Sequence, residues 1–388
     1  MSRFQIYLQT ASRLIREHGG GEPFSLFLKR YFSQDKKYGS RDRKAISSIA
    51  YCYYRAGHAL GPDPNADSLL HALFLCGNDG NGTLLQQAPA LYQQINLTTA
   101  ERLQFLGLKA SALCPYHPFL SDQVNSESYC LSLLEQPDLF LRIRPGKRDV
   151  VMSKLSGANL PFESLGNDTL RLPNQSPVDS ILNMNREAVV QDYSSQRVLH
   201  YLSDLGNGFS GKMISAWDCC AASGGKAILL HDILGGHVQI TLSDIRDSIL
   251  ANAGKRLRES GVPIQDSFVA DLTRMDAVPG ARQWPLVLAD MPCTGSGTWA
   301  RTPEQSYYFD GQKIREYAER QAKILHSVAG HLQPGGWMFY ITCSVFSAEN
   351  ENLLTYALPG TGLRVISSEY LTGMDHKADS MFVAVLTH

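Results

Sequence analysis

Residues 206–388 alternate near-continuous apolar segments with amphipathic ones, and few folds accept that pattern. KMISAWD (212–218), HVQITLSD (237–244), DSFVAD (266–271), PLVLAD (285–290) and GWMFYITC (336–343) read as strands. AILLHDIL, RDSILANAGKRLRESG closed by Gly261, and a segment from Gln312 to Leu332 read as helices. Apolar strands alternating with helices predict an α/β domain built on a parallel sheet covered on both faces. Such sheets bind ligands at the carboxyl ends of their strands. Here five strands end in an acid or a thiol: Asp218, Asp244, Asp271, Asp290 and Cys343.

The rest of the chain reads differently. In residues 1–125 apolar residues recur three and four apart, as at Phe4, Tyr7, Leu8, Ala11, Leu14 and Ile15, which predicts a helical domain. Residues 40–60 put Ile46, Ile49, Ala50, Tyr53 and Tyr54 on one face, with Ser40 or Asp42 to cap the start. GNDGNGT (77–83) reads as a loop. Residues 126–205 are expected to form a small α/β subdomain. Its strand LFLRIRP (139–145) turns Arg142 and Arg144 outward, either toward an RNA backbone or as an ordinary exposed sheet face.

With 388 residues, 44% hydrophobic and 19% charged, the composition is that of a globular protein. A net charge of −1 supplies no global field, so any polyanion must be met by a local patch. The first 60 residues hold eleven Lys/Arg against four Asp/Glu, with Lys36, Lys37, Arg41, Arg43 and Lys44 clustered near Tyr31, Phe32 and Tyr38. A solvated helix face and a nucleic-acid surface both fit such a cluster. The eight cysteines form no CxxC pair, which argues against a disulfide framework and a zinc site. No metal is expected. No signal peptide or membrane-length apolar run is evident, so a cytoplasmic protein with no membrane association is expected.

Three motifs carry the chemistry. DCCAASGGK (218–226) follows a strand with small residues, which let a backbone approach a ligand, ahead of a helix N-terminus that favours negative charge. It is neither GxGxxG nor a P-loop, and a tight structural turn is the competing reading. Asp244, one βα unit later, suits ribose hydroxyls or a helix N-cap; Asp271 suits an adenine amino group or a loop cap. ADMPCTGSGTWAR (289–301) and YITCSVFSAENE (340–351) place Asp290, Cys293 and Cys343 at strand ends. A lone cysteine is usually inert and buried. Two of them converging on one cleft point instead to thiolate chemistry.

DCCAASGGK resembles the DxCAAPGGK motif of the RNA cytosine-C5 methyltransferase family, the RsmB/Fmu (Sun) type. ADMPCTGSGT resembles its DxPCSGxGT motif, YITCS its YSTCS motif, QDYSSQ (191–196) its QDxxSQ segment, and HKADSMFVAVL (376–386) its C-terminal strand. SRDRKAISSIAYCYYR is similar to a helix of NusB-like domains. The resemblance implies a Rossmann-like, S-adenosylmethionine-dependent methyltransferase domain (206–388) after a NusB-like helical RNA-binding domain (1–125) and an RNA-binding α/β subdomain (126–205). It implies that Cys220, Ala221, Ala222, Ser223, Gly224, Gly225 and Lys226 wrap the methionine and ribose of S-adenosylmethionine. By the same resemblance Asp244 holds the ribose, Asp271 the adenine, and Asp290 lies by the methionine amino group and the cytosine ring. Cys343 would be the nucleophile and Cys293 the residue that assists product release. Ser223 stands where the family has proline, residues 142–145 lack the usual asparagine, and Asp379-Ser380 replaces a DG pair.

The residue types suit that chemistry. Thiolate attack on C6 of cytosine makes C5 enamine-like and able to accept a methyl group. An acid such as Asp290 at N3 would stabilise the developing charge, a role that needs a transiently protonated carboxyl. RNA is therefore the expected partner, ribosomal RNA ahead of transfer RNA, with its base flipped or unpaired and no obligate protein partner. A DNA cytosine methyltransferase would need only Cys293. A dehydrogenase would show GxGxxG. A non-catalytic RNA-binding factor would have no need of both thiols and the carboxylates.

Overall fold

Successive residues of each central strand point into two different cores. Ala216, Leu286, Leu288, Phe339 and Ile341 belong to one apolar cluster, while their chain neighbours Trp217, Val287, Ala289, Met338 and Tyr340 belong to another. A sheet with period-two side chains and apolar cover on both faces forces this division. The computed structural model describes residues 2–34, 37–77, 82–166, 168–202 and 212–388. Lys36 and most of the loop expected at 77–83 lie outside the described residues.

Eleven strands are described. β1 (Leu139–Ile143), β2 (Glu163–Ser164), β3 (Thr169–Leu172) and β4 (Ala188–Val190) form an antiparallel sheet in the order β2-β3-β1-β4. β5 (Ile214–Asp218), β6 (Val238–Asp244), β7 (Ile264–Val269), β8 (Trp284–Asp290), β9 (Leu332–Thr342), β10 (Arg364–Leu371) and β11 (Met381–Thr387) form a sheet in the order β10-β11-β9-β8-β5-β6-β7. The strands from β7 to β9 are parallel, whereas β11 runs antiparallel to both β9 and β10. The sheet is thus Rossmann-like but not wholly parallel. The strand order reverses beside β5, the kind of crevice at which open α/β sheets bind ligands.

Several boundaries differ from expectation. The helix begun at Gln312 ends at Ala329, because β9 starts at Leu332. Leu332 pairs with Trp284, and the next pair is Leu286 with Trp337, so Gln333–Gly336 is a bulge within a longer strand. β7 ends at Val269, leaving Asp271 in the following turn. β10 was not foreseen. It is an edge strand whose Val365 and Ile366 are exposed, so it lacks the apolar run that marks its neighbours.

The largest correction concerns Arg142 and Arg144. Neither faces outward; both are buried. Arg142 Nη1 donates to Asp232 at 2.5 Å, Arg144 Nε donates to the same carboxylate at 2.9 Å, and Arg144 Nη1 donates to the Ser260 carbonyl at 2.9 Å. Guanidiniums buried this deeply persist only when paired. Asp232 sits on the helix Gly225–Ile233 that follows the DCCAASGGK turn, so β1 is tied to that helix.

By contact the chain divides into two compact units, one reaching to Gln136 and taking in Thr298–Gly311, the other comprising Pro137–Gly297 and Gln312–His388. Both sheets lie in the second. In the first, helices Arg3–His18, Phe24–Gln34 and Ser40–Ala56 dominate. Asp42, not Ser40, completes the start of the third, accepting the Gly39 N–H at 3.0 Å. Residues of Thr298–Gly311 pack on that helix: the rings of Tyr307 and Tyr308 lie 5.8 Å from those of Tyr53 and Tyr54 respectively. The buried Arg55 guanidinium donates to the Glu135 carbonyl at 2.9 Å and the Ala300 carbonyl at 2.5 Å. Among the described residues no helix is long and apolar enough to cross a membrane.

Candidate active site

The carboxyl ends of the parallel strands open into a cavity of about 700 Å³ within the second unit. Cys220, Ala222, Asp244, Asp271, Asp290, Cys293 and Cys343 all line it. The volume falls in the ordinary range for small-molecule and cofactor sites. Tyr317, Arg320 and Ile324, from the helix Gln312–Ala329, line it as well. They were not foreseen, since their three- and four-residue spacing reads simply as an amphipathic helix.

The first turn is shaped by its own backbone. Ala222 and Gly224 both adopt left-handed conformations, φ 44° and 73°. A Cβ on Gly224 would lie 2.3 Å from Leu257 Cδ1, so a side chain there would displace Leu257 as well as strain the left-handed backbone. The Ala221 N–H donates to the Ser243 carbonyl at 2.9 Å and the Ala222 N–H to Asp244 at 3.1 Å. Ser223 is tied to a later helix. Its hydroxyl and its carbonyl both accept from Arg256 Nη1, at 2.9 and 3.3 Å. Only Cys220 and Ala222 of the stretch Cys220–Lys226 line the cavity together with Cys219. Ala221, Ser223, Gly224 and Gly225 build the turn, and Lys226 Nζ donates to Asp290 Oδ2 at 2.6 Å.

The carboxylates sit in distinct environments. Asp244 also accepts the Arg246 N–H at 3.0 Å, so it caps its turn as well as lining the cavity. Burial opposes its charge, but Arg246 and the Ala222 N–H outweigh that and hold its pKa below the usual carboxylate value. Asp271 accepts the N–H and hydroxyl of Thr273, which depress its pKa in the same way. Asp218 is fully buried with neither oxygen hydrogen-bonded. Burial and the nearby Asp290 and Asp244 push its pKa up to about 7 against the opposing Lys226.

The two thiols meet. Cys293 Sγ lies 3.3 Å from Cys343 Sγ, each just beyond a strand end. Their backbones are locked together: the Gly297 N–H donates to the Cys343 carbonyl at 2.9 Å and the Ser380 N–H to the Gly297 carbonyl at 2.9 Å. A Cβ on Gly297 would lie 2.0 Å from the Ser380 carbonyl oxygen, which accounts for a glycine in that motif. The shared hydrogen bond with Cys343, burial and the charge of Glu349 all push the Cys293 pKa up. Around Lys226, burial is outweighed by Asp290, Cys343 and Asp218, so its pKa lies above the ordinary lysine value.

Residues 212–386 match the family model described as 16S rRNA methyltransferase RsmB/F. The ribosomal RNA small subunit methyltransferase B of Klebsiella pneumoniae subsp. pneumoniae is 29% identical over 232 residues, which is 58% of this chain and 52% of that protein. The probable enzyme of the same name from Bacillus subtilis is 25% identical over 236 residues, 59% and 51% of the two chains. The chain thus spans about half the length of the curated relatives it matches. Among solved structures, PH0851 superposes with a TM-score of 0.71 at 18% identity, covering 100% of this chain and 99% of its own. A methyltransferase homolog from Pyrococcus horikoshii gives 0.55 at 18% identity over 74% and 97%. These structures share the fold. The sequence match spans all the strand ends and turns that line the cavity, so it is the cavity-bearing part of this chain, residues 212–386, that is similar to the RsmB/F methyltransferases.

Proposed function

We propose that the protein is an S-adenosylmethionine-dependent RNA methyltransferase that forms 5-methylcytosine, with ribosomal RNA as its substrate. The observation that carries this reading is the pair of sulfurs 3.3 Å apart on a cavity also lined by Asp244, Asp271 and Asp290. The names of the sequence relatives support the choice of ribosomal RNA. The helical segment 1–125 is read as the NusB-like RNA-binding part, 126–205 as the small α/β part and 206–388 as the catalytic part.

S-adenosylmethionine would supply the methyl group. The residues present fit it. The left-handed Ala222 brings backbone to the cavity wall, Asp244 offers a carboxylate to ribose hydroxyls, and Asp271 offers one to the adenine amino group. Cys343 adds to C6 of an unpaired cytosine, forming a C6–S bond and raising electron density at C5. Asp290, held by Lys226 on the cavity wall, would contact the base. After methylation the C5 proton leaves, the C6–S bond breaks and the Cys343 thiolate is released. Cys293, its sulfur 3.3 Å from that of Cys343, is the residue proposed to assist this release; to accept the C5 proton it must itself be a thiolate as the C6–S bond breaks.

The test is incubation with methyl-labelled S-adenosylmethionine and ribosomal RNA, followed by nucleoside analysis. Label in 5-methylcytidine is expected. Label confined to another atom, or to protein, would overturn the reading.

A further inference from the structure

The mechanism above makes no use of Glu349, a wholly buried carboxylate behind the two thiols. It accepts the Thr294 N–H at 2.8 Å on Oε1 and the Thr294 hydroxyl at 2.5 Å on Oε2. The Ser344 hydroxyl donates to the same Oε2. Thr294 directly follows Cys293, and Ser344 directly follows Cys343. Gln321 Nε2 donates to Glu349 Oε1 at 3.2 Å and to the carbonyl of Pro292, the residue before Cys293, at 3.0 Å. The Tyr340 hydroxyl, on β9, donates to the Glu349 carbonyl at 2.6 Å. One carboxylate thus holds the residue after each cysteine, and it does so from a third segment, Ser347–Glu349, that carries no reacting group.

We infer that Glu349 is a positioning residue: its carboxylate ties the Cys293 turn to the Cys343 turn and sets the spacing of the two sulfurs. Four donors converge on two oxygens, an arrangement a buried carboxylate needs in order to stay in the interior. The same donors are fixed in return, since Thr294 and Ser344 cannot turn away without leaving the carboxylate unsatisfied. The geometry fits no cation-binding or proton-delivery role at the cavity, because Glu349 does not line it.

The meaning of this role for catalysis rests on the proposed two-thiol reaction, but its test does not. Diamide oxidises two thiols to a disulfide and is itself reduced to the hydrazine, both protons leaving the sulfurs. The rate of the Cys293–Cys343 link, read by mass spectrometry of peptides from the free protein, reports how often the sulfurs meet. Wild type is expected to link quickly, Glu349→Ala about tenfold more slowly even though loss of the charge eases ionisation of Cys293, and Glu349→Gln, whose amide still spans both turns, no more slowly than wild type. If the alanine variant fails to fold, Glu349→Asp decides. Its shorter arm reaches one turn at a time, and a several-fold slower link is expected. Unchanged rates in a folded Glu349→Ala or Glu349→Asp protein would overturn the inference. No RNA or S-adenosylmethionine enters the assay, so a failure of the proposed methyl transfer leaves this result standing on its own.

Discussion

Lys226 Nζ donates to Asp290 Oδ2 at 2.6 Å, joining the glycine-rich turn after β5 to the Pro-Cys turn after β8. The two side chains are 13% and 25% exposed, so solvent screens the pair little. Lys226→Met keeps the aliphatic stem and removes the charge, leaving the Asp290 carboxylate beside Asp218 with no compensating cation. We expect a stability loss of about 3 kcal/mol, at the low end for breaking a buried pair because Asp290 keeps some solvent. Methyl transfer should fall with it. Urea unfolding and initial rates measure both; an unaltered midpoint together with unaltered turnover would show the pair to be idle.

The two cysteines give separable outcomes. Cys343→Ala should abolish methyl transfer. Cys293→Ala should still form the C6–S bond but release it slowly, so a protein–RNA adduct should survive a denaturing gel. If the two variants exchange phenotypes, the nucleophile is Cys293 and the order of roles reverses.

Much of this site is legible in the sequence because it lies where strands end. Asp244, Asp290 and Cys343 can be placed by reading where an apolar run stops, and the structure puts them on one cavity. What stays hidden depends on partners far along the chain. Arg142 looks like an exposed strand residue until Asp232, ninety positions on, is folded against it. Glu349 lies in the polar stretch SAENE and reads as a solvated helix start, yet it is wholly buried. Ser223 looks like the loss of a rigid proline, whereas Arg256 on a later helix restrains the turn instead.

Asp218 makes stability depend on pH. Its folded pKa of about 7 lies above the ordinary aspartate value of 3.8, so folding takes up a proton between about pH 4 and pH 7. The group is harmless below that window, and stability falls as pH rises through it. Three pH units correspond to about 4 kcal/mol at most. Asp218→Asn cannot ionise, so its stability relative to wild type should be higher at pH 8 than at pH 5. Denaturant titrations at the two values measure this, and an equal difference at both would remove Asp218 from the account.

The basic cluster near the N-terminus is partly spent on internal pairs. Arg3 pairs with Asp42, Arg16 with Asp63 and Arg30 with Glu22. Lys37, Arg41 and Lys44 are exposed. If this face meets RNA, changing those three to Gln should weaken binding and flatten the plot of log affinity against log salt by about 2 in slope. Changing Arg3 and Arg16 should alter the slope less. An unchanged slope in the triple variant would make the cluster an ordinary solvated helix face.

Arg142 and Arg144 lead to the opposite expectation. Burial opposes the Asp232 charge, but His231 and the two guanidiniums outweigh it and hold its pKa below the usual carboxylate value. Removing the shared anion with Asp232→Ala leaves two buried cations facing each other, and a loss of about 3–5 kcal/mol is expected. Replacing all three together, with Arg142→Met, Arg144→Met and Asp232→Leu, removes the stranded charges along with the pair and should recover much of that loss. RNA affinity at fixed folded protein should show the same salt slope in the triple variant as in wild type, because neither guanidinium is available to a phosphate. A flattened slope would mean that β1 opens to expose them and that the original outward reading of the strand was the correct one. A triple variant no more stable than Asp232→Ala would show instead that the ionic network, and not apolar packing, is what this junction requires.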